Sequence, residues 1–165
     1  MIQSLRIALV ALALCAAGVA AGAHDARLGA ITISGPWMRP SPPGAPTAAG
    51  YATIHNAGPA PDRLVAASSP DARSVEIHEM TMAGGVMQMR PVSGGLPIGP
   101  RQTVSLAPGG YHLMLIGPTR AFHVGEVVPI TLTFQRAGSV RVRFTVENGT
   151  GGQGGMSGMP GMDMH

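Results

Sequence analysis

Two short stretches of this chain concentrate side chains able to do chemistry, residues 78–89 (HEMTMAGGVMQM) and residues 111–114 (YHLM). Both combine imidazole with thioether, and neither holds a cysteine or a group of carboxylates. Thioether sulfur is neutral, soft and polarizable, and imidazole is borderline, so such a set selects Cu(I) over Zn²⁺, Mg²⁺ or Ca²⁺. Neutral donors also leave the single positive charge of Cu(I) less tightly trapped than thiolates would. That suits a carrier that must both bind and release, and it avoids disulfide formation in an oxidising compartment.

Strands are the elements that would position these donors. Alternate residues of a strand share a face, which puts His78, Met80 and Met82 on one side and Val75 and Ile77 on the core side. The Gly84-Gly85 turn returns the next strand with Met87 and Met89, and His112 and Met114 share a face while Leu113 and Leu115 point the other way. Both donor types thus coincide at matched parity on adjacent strand candidates, beside the polar neighbours Glu79 and Gln88. Together with the family resemblance given below, the candidate ligand set is His78, Met89, His112 and Met114; of Met80, Met82 and Met87 one is an alternate ligand near the metal, with Met80 the candidate, and the others form an apolar collar. A methionine stripe alone is usually packing, and a lone histidine such as His55 or His123 is usually a satisfied surface or core residue. Trp37, the one tryptophan, reads as a core anchor beside the first strand or as an aromatic wall near the metal.

The rest of the chain supplies a β scaffold. Strand patterns run over 31–34, 51–55, 73–82, 86–92, 103–106, 111–116, 130–135 and 140–146, with turn signals at 40–46, 56–61, 83–85, 94–100, 108–110 and 137–138. The 165 residues include 24 Gly and 15 Pro, and no stretch of ten or more keeps a 3.6-residue period. The fold class predicted is all-β, an antiparallel β-barrel or sandwich. Every basic residue is arginine, and these are scattered, so a net charge of +3 leaves no nucleic-acid footprint.

Both ends of the chain differ from its middle. Arg6 precedes the apolar run Ile7 to Ala23, which closes on Ala21-Gly22-Ala23 and reads as a cleaved secretory signal peptide over residues 1–23 rather than a membrane anchor. Cys15 lies inside that run behind Leu14, where a lipoprotein signal needs a small residue, so the only cysteine is expected to leave with the signal. The mature chain would begin at His24, whose amine and imidazole together make a Cu(II) chelate. The domain spans 24–147, and residues 148–165 (NGTGGQGGMSGMPGMDMH) form a flexible Gly/Met-rich tail, disordered when unliganded. Its Met156, Met159, Met162, Met164 and His165 are candidate auxiliary copper ligands, for Cu(I) or Cu(II).

At these residues the chain resembles the PCu(A)C-type periplasmic copper chaperones. That family's pattern is His, ten residues, Met, about twenty-one residues, His, one residue, Met. Here ten residues separate His78 from Met89 and twenty-two separate Met89 from His112, with Met114 closing the set. The extra residue falls where Ser93 to Pro100 reads as a turn. Gly35-Pro36-Trp37, Arg39-Pro40, Asp62-Arg63-Leu64, Met89-Arg90-Pro91-Val92 and Pro108-Gly109-Gly110-Tyr111-His112 are similar to the family as well. The resemblance implies a cupredoxin-like barrel that carries Cu(I) in the periplasm and supplies it for assembly of cytochrome c oxidase copper centres. Its partner would be a respiratory oxidase subunit or an assembly factor.

Competing functions separate on composition. Blue-copper electron transfer needs a Cys thiolate, and residues 24–165 contain none. A hydrolase needs an activated nucleophile or an open metal position, and a site filled by two His and two Met supplies neither, so the chain is not expected to be an enzyme. A copper buffer or resistance protein without a dedicated acceptor would share the same site and stays open as the alternative.

Overall fold

A computed structural model describes residues 25–149, so the expected signal peptide, His24 and the tail ligands from Met156 onward lie outside the described residues. Eleven strands follow in chain order: β1 (Ala26–Leu28), β2 (Ile31–Met38), β3 (Thr47–Asn56), β4 (Asp62–Ser68), β5 (Ala72–Ala83), β6 (Val86–Pro91), β7 (Leu96–Ile98), β8 (Thr103–Leu106), β9 (Tyr111–Pro118), β10 (Val127–Phe134) and β11 (Gly138–Val146). The described residues contain no helix, as expected of the all-β class. Strands pair in the order β6-β5-β9-β8-β3-β2-β11-β10-β4-β7, and a β4–β5 pairing at Ala67 and Val75 closes eight of them into a barrel. Two pairings are parallel, β11 with β2 and β8 with β9, so the expected antiparallel barrel holds except at these two seams.

Alternation fills the interior. On β10 Val128, Ile130, Leu132 and Phe134 are buried while the residues between them are not, and on β11 Val142, Phe144 and Val146 do the same. Val75, Ile77, Leu113 and Leu115 face the core as the parity of β5 and β9 predicts. Met38, without a role from sequence, is fully buried there.

Three strands escaped the sequence reading. β1 and β7 are three residues long, and β4 is poor in β-branched and aromatic residues, with only Leu64 buried. β7 corrects the reading of 94–100 as a turn: Leu96 and Ile98 are buried, and Pro97 is tolerated because β7 is an edge strand. The extra residue relative to the family pattern therefore falls in a segment that includes a strand on the β4 edge, away from the donors on β5, β6 and β9.

Candidate metal centre

The centre is built on the β6–β5–β9 part of the sheet. β5 and β6 form a hairpin closed by Gly84 and Gly85, both left-handed at φ 60° and 77°, the conformation a two-residue turn demands and side chains resist. In its register Met80 stands opposite Met89 and Met82 opposite Met87. β5 and β9 set His78 opposite His112 and Glu76 opposite Met114. Directly opposed residues share a face. His78, Met89, His112 and Met114 therefore stand on one face with Met80, the face turned away from the core residues Ile77, Leu113 and Leu115.

Both histidines are buried, His78 at 8% and His112 at 3% exposure, with ring centroids 5.8 Å apart. A ring nitrogen about 2.0 Å from a metal puts its ring centre roughly 3.2 Å from that metal, so this spacing fits two rings sharing one ion. Each ring has one nitrogen held and one bare. His112 Nδ1 donates to the Gly110 carbonyl at 3.2 Å, and His78 Nε2 donates to the Glu76 carboxylate at 2.7 Å. Since both partners can only accept, they fix the tautomers and leave lone pairs on His112 Nε2 and His78 Nδ1.

Those two nitrogens are buried without a hydrogen-bond partner, as are Ser41 Oγ, which borders the same cleft as His112, and Thr81 Oγ1 on the other face of the hairpin. Buried polar atoms are nearly always paired, and an orphaned lone pair is where a ligand belongs. Burial, opposed only in part by the Gly110 carbonyl, lowers the His112 pKa, and the nearby His78 lowers it further. The imidazole therefore stays neutral at pH 7, the form that binds metal.

Met80, Met89, His112 and Met114 line a cleft of about 310 Å³, bordered by Arg39, Ser41 and Tyr51 among others. His78 does not line it, and its ring lies 5.8 Å from that of the cleft-lining His112. Met80, auxiliary in the sequence reading, thus has the same access as Met89 and Met114. Met82 and Met87 lie further along the hairpin, exposed. Glu79 and Gln88, expected beside the donors, pair with Arg90 and Thr81 on the hairpin's opposite face. Trp37 is buried with its ring centroid 4.6 Å from that of Tyr51 and borders a different cavity, so Tyr51 is the aromatic side chain beside the cleft.

Glu76, the Gly110 carbonyl, Ser41 and Tyr51 were missed from sequence. Only Glu76 left a signal, its place two residues before His78 on the same strand face. His55 bonds Thr103 and His123 is exposed, both outside the cleft. Among the described residues no three His, Cys, Asp or Glu side chains gather as a group that could hold a metal ion.

Residues 31–146 match the family described as "Putative lipoprotein LpqE-like". The curated relative "Putative lipoprotein Lxx21020" of Leifsonia xyli subsp. xyli is 28% identical over 121 residues, 73% of this chain and 72% of the relative. Among solved structures, the copper-bound PCuAC domain from PmoF2 is similar at 31% identity and TM-score 0.65, covering 75% of this chain and 97% of that domain. The solution structure of CuI-DR1885 from Deinococcus radiodurans is similar at 32% identity and TM-score 0.56, covering 79% of this chain and 85% of that one.

Proposed function

The chain belongs to the LpqE-like family of PCuAC-type copper chaperone domains, and from that premise we propose that it holds one Cu(I) through His78, Met89, His112 and Met114 and passes it on. The observation that carries this reading is the pair of buried, opposed histidines, each with one nitrogen anchored and the other bare, on a face shared with thioethers. Met80, lining the same cleft, is an alternate thioether available as ligands exchange. The site combines protection with access: the imidazoles are buried, while Met89 is 46% exposed. An acceptor's soft ligands enter on the thioether side and displace the domain's donors one at a time.

In this reading residues 1–23 are a signal that takes the domain, 24–147, to the periplasm, and the tail of 148–165 is an auxiliary copper segment. Tethering would raise the effective copper concentration at the cleft. The acceptor is a respiratory oxidase subunit or its assembly factor, as the family resemblance implies. Relatives described as lipoproteins and as copper-bound domains support an extracytoplasmic copper carrier.

Cu(I) titration of the mature chain against a competing chelator tests the site. The expected result is one tight equivalent, weakened at least about 100-fold in the His112→Ala/Met114→Ala variant; unchanged binding in that variant rejects the ligand set. A chain ending at Asn148 with the same stoichiometry and affinity as the full mature chain rejects the tail's role. Oxidase activity of a deletion strain at limiting copper separates delivery from buffering, since loss of activity restored by copper supplementation is expected only of a supplier.

A further inference from the structure

The donor face does not end at the buried histidines. Along β5 the rungs are His78 opposite His112, then Met80 opposite Met89, then Met82 opposite Met87 at the hairpin tip. Rungs on one face are about 7 Å apart, and opposed side chains start from Cβ atoms roughly 4.5–5.5 Å apart, within reach of two thioethers on one ion. Exposure rises along this line, from 8% and 3% at the histidines to 46% at Met89, then 65% at Met82 and 55% at Met87.

Packing does not account for the outer rung. Methionine fills irregular gaps in cores, and these two side chains have no core to fill. The opposite face of the same hairpin carries Glu79 with Arg90, Thr81 with Gln88 and, at the tip, Ala83 with the exposed apolar Val86, none of which offers a sulfur donor. Thioethers are thus confined to the one face that leads to the buried imidazoles, and they occupy it without interruption.

We propose that Met82 and Met87 form a second, outer Cu(I) site of low affinity, through which the ion enters and leaves the buried site by way of Met80 and Met89. Two neutral thioethers hold Cu(I) weakly and leave coordination positions open, which suits a site of passage. Each move inward is a ligand exchange: one Cu–S bond forms to the next rung as one breaks behind it, with no electron or proton transferred. The route rests on the ligand reading proposed above, whereas the outer pair is a soft-donor site in its own right.

The experiment is a Cu(I) titration, without oxygen, of the full mature chain labelled with ¹³C at its methionine methyl groups. Each thioether then reports separately, those of the tail included. Met89 and Met114 should shift during the first equivalent, and Met82 and Met87 with further Cu(I), in fast exchange. Met82 and Met87 methyls that stay unmoved through several equivalents overturn the outer site. If they shift while Met89 and Met114 do not, the outer site stands and the buried ligand set fails. The Met82→Leu/Met87→Leu variant, which keeps volume and removes sulfur, should fill the buried site to the same single equivalent but load it from a Cu(I)–chelator complex about tenfold more slowly. An unchanged loading rate overturns the route.

Discussion

Single residues decide whether the centre is preorganised. Glu76 does not line the cleft, yet its carboxylate accepts the hydrogen bond from Nε2–H of His78 and so dictates which nitrogen is bare. Partners of this kind typically contribute 10–100-fold to metal affinity. Glu76→Ala should weaken Cu(I) binding about 10-fold, while Glu76→Gln, whose amide oxygen still accepts that hydrogen bond, should stay within about 3-fold of the unaltered protein. Competition titrations of the two variants check this, and an equal loss in both would mean that charge and not orientation matters. Glu76 went unread although its place as a same-face neighbour of His78 was a signal, whereas the Gly110 carbonyl left none, because a backbone acceptor has no residue type to read.

At the scale of elements, the hairpin and the strand edges hold the donors in register. Gly84 is left-handed with nothing within 4 Å of where a Cβ would sit, whereas a Cβ on Gly95, also left-handed, would lie 2.6 Å from the Leu64 carbonyl oxygen. Gly84→Ala should therefore cost about 1 kcal/mol of backbone strain, and Gly95→Ala on the order of 3 kcal/mol or more, because β4 and β7 must part to admit it. Denaturant unfolding of both variants measures the difference.

Asp62, at the start of β4, ties that strand to the β10–β11 turn. Its carboxylate accepts backbone N–H bonds from Arg63 at 2.7 Å and from Arg136 and Ala137 at 2.9 Å each. Partial burial pushes its pKa up, but those three donors and the Arg136 charge outweigh it, and the net shift is downward from 3.8. A depressed carboxyl pKa adds stability above the unfolded value and loses it as pH falls through the folded one. The stability gap between the unaltered protein and Asp62→Asn should be constant near neutral pH and shrink below about pH 3.8, as chemical unfolding across pH will show. β4 itself was invisible to pattern reading, since Asp-Arg-Leu-Val-Ala-Ala-Ser becomes a strand only between β10 and β5.

For the whole molecule, the proposed site would link copper binding to folding, because its donors come from three strands that the barrel brings together. Free Cu(I) at 100 times its Kd should stabilise the folded chain by about 2.7 kcal/mol. For a domain of this size that raises Tm by roughly 10 °C. A thermal melt with and without Cu(I) reads the shift, and the His78→Ala/His112→Ala variant should show little of it.

The sequence by itself determined the donor types, their parity and the hairpin that turns Met89 back over Met80, because residue chemistry, the two-residue strand period and a Gly-Gly turn are local properties. It determined the all-β class for the same reason, and the absence of cysteine from residues 24–165 removes the thiolate that blue-copper electron transfer needs, which supports the proposed Cu(I) carriage. Only the tertiary structure decided that β9 lies beside β5 in the register that opposes His112 to His78, that Glu76 and Gly110 orient the two rings, and that Met80 shares the cleft. Those facts rest on pairings between strands distant in the chain. Such pairings are set by how the barrel closes and what its core can bury, and no local stretch of sequence carries that information.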